Sequence, residues 1–395
     1  MKKTRILMIQ GSMQAGGAEK AMVSLLNTMS PDRYEVDLML GHRSGLFYDQ
    51  IPNWVNVIDE PFPFSCFSHK PVDWTFYFKH PLYWLKKVKR TLVAKKQNKL
   101  HIIQSLWQQW RKDIPVFDKS YDVAYGGQEG LTNYFVIDKV KAERKIVWIH
   151  SNYDKLGYNI SFDRPYFKVA TIVATMSPEA RDILQKHFPE SADHMWFLEN
   201  ITNGGMIRKM AMEDIDDKLF KLVEGINLIS VGRLAPVKNF ERAIQSASIL
   251  KKQGVDFHWT VIGEGSLRHS LEALAKELNV EDVLSFIGLR SNPYQYMRKS
   301  DMLVVTSNYE GRSIAIDEAQ VLGIPVITTN YPTAKDAVID GETGLICDMT
   351  PEAIANSIVR LHTDKALYAH ICQSLEAKKE GNVQEIQKYF KAFGD

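Results

Sequence analysis

Two carboxylates, Glu310 and Glu318, stand with seven residues between them in the stretch Ser-Asn-Tyr-Glu310-Gly311-Arg312-Ser313-Ile314-Ala315-Ile316-Asp317-Glu318-Ala319. An apolar run from Met302 to Thr306 leads into it as a strand, and Ile314, Ile316 and Ala319 give the residues from Ser313 onward a helical reading. One carboxylate therefore belongs in a strand-to-helix turn. The other lies about two turns down the helix, on broadly the same side at 3.6 residues per turn. Between them, the N–H groups of a helix N-terminus are open to an anion. Hydroxyl-binding carboxylates beside an anion-binding backbone suit a sugar nucleotide: polyol at one end, diphosphate in the middle, ribose at the other. The competing reading is an acidic surface helix whose first Glu is favoured by the dipole. The spacing alone favours that bland reading, and the surrounding motifs reverse it.

Four features converge with the Glu pair. Ser230-Val231-Gly232-Arg233-Leu234 ends a strand and Lys238 opens the next helix. Ligands of open α/β sheets bind outside the carboxyl ends of the strands, so Arg233 and Lys238 would hold a diphosphate there, the alternative being surface solubility. Gly263-Glu264-Gly265 follows another strand and is a turn that lets backbone approach a ligand closely, or simply a strand-to-helix turn. The loop from Gly11 to Glu19, with Gly16 and Gly17, lies at the equivalent edge of the first sheet. It is neither Gly-x-Gly-x-x-Gly nor followed by a Walker lysine-serine, so a nicotinamide or ATP fingerprint is absent. His150 closes the strand Lys145–Ile149, as a site residue or as a polar strand end.

The elements that must position these residues form a βα alternation. In the first half, strands are expected at Ile6–Ile9, Val36–Leu40, Val55–Val57, Val123–Tyr125, Ile146–Ile149 and Ile172–Thr175. In the second half they are expected at Leu228–Val231, Trp259–Ile262, Leu284–Ile287, Met302–Val305, Pro325–Thr328 and Leu345–Cys347, with helices between them. The fold class is α/β with two doubly wound parallel sheets, the pattern restarting near Asn227. The expected domains are 1–205, 206–372 and a C-terminal helix, 373–395, returning to the first domain. A length of 395 residues asks for two cores. The net charge of +2 demands neither nucleic acid nor membrane. Cys66, Cys347 and Cys372 show no metal-ligand spacing and suit a reducing compartment. The apolar run Ile6–Ile9 is shorter than a signal peptide's, so a cytoplasmic location is expected. Asp214-Ile-Asp216 reads as solvated surface, and no metal is expected.

One segment breaks the alternation. Between Pro61 and Lys112 lie Phe62, Phe64, Phe67, Trp74, Phe76, Tyr77, Phe78, Tyr83, Trp84, Trp107 and Trp110, and from Trp74 to Lys112 there is no Asp or Glu. Lys and Arg interleaved with aromatics suit the interface of an anionic membrane. The alternative is an inserted helical hairpin with its aromatics in the core and its lysines solvated. RNA binding is disfavoured because nothing resembles a stacking module.

The ordered set Val231-Gly-Arg233-Leu-x-x-x-Lys238-Asn, Ile262-Gly-Glu264-Gly, Phe286-Ile-Gly288, the Glu310/Glu318 pair, Ala319-x-x-x-Gly323-x-Pro325-Val and Asp340-Gly-x-Thr-Gly344-Leu resembles the retaining GT-B glycosyltransferases of glycosyltransferase family 4, of the bacterial surface-polysaccharide type. Gly16-Gly17-Ala18-Glu19 and Trp148-Ile-His150 match the family's glycine-rich loop and histidine. The resemblance implies two Rossmann-like domains facing across a cleft, the second binding a nucleotide sugar, with UDP the expected nucleotide. It implies that Arg233 and Lys238 grip the donor diphosphate, Glu310 the sugar and Glu318 the ribose. Backbone at Gly311, Arg312, Ser313 and Ile314 would touch sugar and phosphate, with Gly263 and Glu264 beside them. Arg290 would lie in the base-binding loop, His150 would contact the sugar, and Gly16 and Gly17 would close on phosphate or acceptor. The implied reaction moves a hexose or N-acetylhexosamine to a glycan or lipid-linked acceptor, without metal or other cofactor, at the inner face of the cell membrane. Arg312 departs from the family's usual apolar residue or Gly, and Ala334-Lys335-Asp336 from its Pro-Glu pair, which leaves the sugar open. A nucleotide-sugar epimerase or hydrolase, or a non-catalytic nucleotide-sugar-binding subunit, are the rival readings.

Overall fold

Strands whose residues are apolar without alternation need cover on both faces, which a parallel sheet flanked by helices supplies. The computed structural model describes residues 2–14, 16–64, 81–96 and 99–395, except the side chains of Tyr83, Lys95 and Lys96. Ala15, Cys66, Phe67, Trp74, Phe76, Tyr77, Phe78 and Lys79, all within stretches singled out from the sequence, lie outside the described residues. The chain divides into two units, Met1–Ile201 with Gln384–Asp395, and Thr202–Val383.

The first unit holds β1 (Thr4–Gln10), β2 (Tyr34–Leu40), β3 (Asn56–Asp59), β4 (Ser120–Gly126), β5 (Lys141–Ile149), β6 (Ile172–Thr175) and β7 (Met195–Phe197). They form a seven-stranded sheet in the order β3-β2-β1-β4-β5-β6-β7, with every pairing parallel. Strand β7 was not expected: its three residues are too few to show a period. The expected strand at Val55–Val57 is displaced to Asn56–Asp59, because Asp37 to Leu40 of β2 pair with those residues. The C-terminal helix Ile386–Phe393 buries Tyr389, Phe390 and Phe393 in this unit. Tyr389 stacks on Trp148 with ring centroids 6.3 Å apart, and Phe390 packs on Tyr34 at 5.5 Å.

The second unit holds β8 (Ile226–Val231), β9 (Phe257–Ile262), β10 (Leu284–Gly288), β11 (Met302–Val305), β12 (Val326–Thr329) and β13 (Gly344–Cys347). Its sheet runs β10-β9-β8-β11-β12-β13, again parallel. Alternate residues of the same strands feed two cores. Leu228, Val304 and Ile327 pack on one face. Ile229, Leu303, Val305 and Val326 pack on the other. These unalternating apolar runs are thus two period-2 patterns superimposed. The expected α/β class with two doubly wound, Rossmann-like parallel sheets is the one observed.

The aromatic, basic segment divides where it is described. Phe64, Trp107 and Trp110 are fully buried in the first unit's core. Phe64 stacks on Phe135 at 4.5 Å, and the Trp107 indole N–H donates to Asp138 Oδ2 at 3.0 Å. For these three the core reading holds. Trp84, on the helix Pro81–Lys96, is exposed.

Candidate functional site

In the second sheet the chain steps from β8 outward through β9 to β10, then returns beside β8 at β11 and steps the other way to β13. Loops leaving the carboxyl ends of β8 and β11 therefore diverge, and the crevice at such a switch point is where open α/β sheets take ligands. Lys238 lies on the loop after β8 and Glu310 on the loop after β11, and their side chains meet across this point. Lys238 Nζ donates to Glu310 Oε1 at 2.5 Å. Ser307 Oγ donates to the same oxygen at 2.6 Å, and Thr333 Oγ1 to the Glu310 carbonyl at 2.7 Å. Glu310 is only 8% exposed, so its orientation is set by packing as well as by charge. Arg233 is on the same loop as Lys238, exposed, and its guanidinium makes no ion pair among the described residues.

The helix after β11 spans Ile314–Val321. Ser313 is its N-cap in extended conformation, yet its side chain makes no capping bond. The Ile316 N–H donates to the Ser313 carbonyl at 3.0 Å, and those of Ile314 and Ala315 are left to another acceptor. Arg312 turns back along the helix: its Nε donates to Asp317 Oδ2 at 2.9 Å. Glu318 is 2% exposed and accepts from the Tyr294 hydroxyl at 2.8 Å. Burial, then the neighbouring Glu318 charge, pushes the Tyr294 phenol well above its ordinary range, which keeps it a donor. The two carboxylates are thus held from different sides, Glu310 from the β8 loop and Glu318 from the segment after β10.

Arg290, in the expected base-binding loop, is tied to Asp217: Nε donates to Oδ2 at 2.7 Å, and the Tyr296 hydroxyl reaches the same oxygen at 3.1 Å. Burial works to raise the Asp217 carboxyl, but bonds from the Leu219 amide, Arg290 and Tyr296 outweigh it and hold it below the usual range. Glu264 is exposed and pairs with Arg268 at 3.1 Å. Gly311 is exposed in the turn after Glu310, and Asp214 and Asp216 are exposed in the segment before β8.

Gly263 has a use within the fold itself. A Cβ there would lie 1.9 Å from the Gly232 carbonyl oxygen, at a φ of +157°. Missing side-chain bulk at 263 lets the β9 loop press against the β8 loop that carries Arg233 and Lys238. Gly263→Ala is expected to destabilise the protein by about 2–4 kcal/mol, as overpacking against backbone does. A melting temperature unchanged from the parent would show that the two loops are free to separate.

In the first unit the switch point falls between β1 and β4. Gly16 caps the helix Gly17–Thr28 without a side-chain bond. Gln128, on the loop after β4, donates from Nε2 to Glu19 Oε1 at 3.3 Å. His150 follows β5. Its Nε2 lies 2.9 Å from the Gly127 carbonyl, which can only accept, so Nε2 carries the proton; Nδ1 faces the Met176 sulfur at 3.3 Å. The ring stacks on Trp148 at 4.7 Å. Burial lowers its pKa, and the Glu129 charge acts the other way. The backbone N–H of His150 donates to Glu129 Oε2 at 3.0 Å and Ser151 Oγ to Oε1 at 2.6 Å.

The sequence pointed to Glu310, Glu318, Arg312 and Arg290 but not to the groups that hold them: Ser307 and Thr333 for Glu310, Tyr294 for Glu318, Asp317 for Arg312 and Asp217 for Arg290. In the first unit it missed Glu129. The run Gly127-Gln128-Glu129-Gly130 after β4 was the available signal for that last one.

Residues 212–377 match the family model described as Glycosyl transferases group 1. The N-acetylgalactosamine-N,N'-diacetylbacillosaminyl-diphospho-undecaprenol 4-alpha-N-acetylgalactosaminyltransferase of Campylobacter jejuni is 29% identical over 210 residues, 52% of this chain and 54% of that one. The capsular polysaccharide biosynthesis glycosyltransferase CapM of Staphylococcus aureus is 32% identical over 173 residues, 42% of this chain and 45% of its own. The alignments thus span about half the length of these curated relatives. Among solved structures, Anabaena HepE in complex with UDP and glucose superposes over 99% of this chain and 100% of its own, with a TM-score of 0.67 at 17% identity. That likeness is one of fold.

Proposed function

We propose that this chain is a retaining glycosyltransferase of surface-polysaccharide synthesis, moving a hexose or N-acetylhexosamine from a UDP-sugar to a glycan or lipid-linked acceptor. The observation that carries the reading is the Lys238–Glu310 pair across the β8/β11 switch point, with exposed Arg233 on the same loop. It combines the cation a diphosphate needs with the carboxylate a sugar hydroxyl needs. The segment matched by the family model contains these residues, and the relatives' names supply the polysaccharide context.

Cleavage of the anomeric C–O bond leaves an oxocarbenium-like sugar and a diphosphate. Arg233, Lys238 and the first-turn N–H groups of Ile314–Val321 stabilise the leaving diphosphate. Glu310, oriented by Ser307 and Thr333, accepts a hydrogen bond from the sugar. Glu318, oriented by Tyr294, accepts from the ribose. Retention follows attack on the face the diphosphate leaves, with the departing phosphate taking the acceptor's proton. No side chain serves as nucleophile, in contrast to the facing carboxylates of a retaining glycosidase. Metal-independence, a cytoplasmic location and a sugar-contacting role for His150 belong to the same proposal, and turnover is expected to survive a chelator.

A thermal-shift screen of nucleotide sugars tests the donor class. A donor at 100 times its Kd adds about 2.7 kcal/mol to the folded state and raises the melting temperature. UDP-sugars are expected to do so, and the best binder to release UDP only when acceptor is added. Stabilisation by no nucleotide sugar would remove the proposal.

A further inference from the structure

The helix Pro81–Lys96 is built the wrong way round for a water-facing helix. Its inner side carries Ala94, which is buried, and Arg90, whose guanidinium lies 4.5 Å over the Trp110 ring and donates to Asp113 at 2.5 Å. These contacts hold it against the first unit's core. The outward side should then be polar. Instead Leu82 is 77% exposed, Leu85 56% and Leu92 54%, with Trp84, Val88 and Val93 exposed as well. Leu85 and Leu92, seven residues apart, share one side, and exposed Lys86 and Lys89 lie among them. The other large exposed apolar residues among those described are scattered through both units, whereas these six share one helix. Contiguous exposed apolar surface on a folded protein marks an interaction site.

Charge selects the occupant. From Trp74 to Lys112 the sequence has no Asp or Glu, and the helix carries Lys86, Lys87, Lys89, Arg90, Lys95 and Lys96. A self-association face of this composition would set cation against cation. Leucines flanked by lysines whose stems reach past apolar surface fit the boundary between acyl chains and anionic headgroups. Among the described residues no helix is long and apolar enough to cross a membrane, so the contact is one of lying on the surface. We infer that the outward face of Pro81–Lys96 docks the protein on an anionic bilayer, with Leu85 and Leu92 entering the acyl boundary and Lys86 and Lys89 meeting headgroup phosphates. This stands independently of the transferase reading.

Cosedimentation of the full chain with vesicles, without substrate, tests it. Binding is expected to vesicles of phosphatidylcholine with phosphatidylglycerol, to be absent with phosphatidylcholine alone, and to fall as salt rises. Lys86→Gln with Lys89→Gln is expected to weaken partitioning roughly thirty-fold, at one contribution of ordinary size per basic residue. Leu85→Gln with Leu92→Gln is expected to weaken it roughly tenfold or more, with the circular dichroism and melting temperature of the parent. Equal binding to neutral vesicles, or binding indifferent to both pairs of substitutions, would overturn the inference. So would a change of oligomeric state, or loss of RNA binding, in these variants when the parent shows no affinity for anionic vesicles.

Discussion

Lys238→Ala is expected to lower turnover ~10²–10³-fold, the loss typical of one preorganised charge-stabilising group, and to destabilise the second unit as well. The two effects have separate origins. Lys238 Nζ is 2.5 Å from Glu310 Oε1, and the Glu310 side chain is 10% exposed, so removing the cation strands a carboxylate that water reaches poorly. The Lys238 side chain is 23% exposed, which tempers the penalty to about 1–3 kcal/mol. A double substitution, Lys238→Met with Glu310→Gln, removes the stranded charge. It is expected to recover most of the lost stability and none of the lost turnover. Recovery of both would mean that the pair is a structural strut; recovery of neither would mean that Lys238 supports the loop by other contacts.

Glu310→Gln is expected to reduce turnover ~10²-fold, since hydrogen bonds to a charged acceptor are worth more than neutral ones. The amide oxygen of Gln still accepts from Ser307 and Lys238, so the melting temperature should stay within a few degrees of the parent. Because Glu310 is assigned to the sugar and not to the diphosphate, UDP alone should bind the variant nearly as well as the parent, whereas the UDP-sugar should not. Near-normal transfer would remove the assignment. Loss of UDP affinity equal to the loss of turnover would move Glu310 from the sugar to the diphosphate end.

Lys238 and Glu310, which the structure brings together, could be picked out because both follow strands, and strand ends were readable from unalternating apolar runs such as Ile6–Ile9 and Met302–Val305. Such runs occur where both sheet faces are covered, as the two cores flanking β8–β12 show. Strand β7 stayed hidden because three residues carry no period. Partners were hidden for a different reason. Tyr294 and Glu318 are 24 positions apart, and Arg290 and Asp217 are 73 apart, so nothing in local spacing joins them. Ser307, three residues before Glu310, was within local reach, but a serine after a strand has too many ordinary uses to be read as a carboxylate's holder. The aromatic segment was readable only as two alternatives, because composition does not report which side of a helix faces the core. Burial divides it, placing Trp107 and Trp110 inside and Trp84 outside.

The central claim is that a nucleoside diphosphate rests at the β8/β11 switch point of the second unit. A crystal structure with UDP bound tests it most directly. The expected result is a diphosphate within hydrogen-bonding distance of Arg233 and Lys238 and against the first turn of Ile314–Val321, with the ribose on Glu318. Density for the diphosphate at the Gly11–Gly17 loop of the first unit instead, or a nucleotide making no contact with residues 233 and 238, would contradict it.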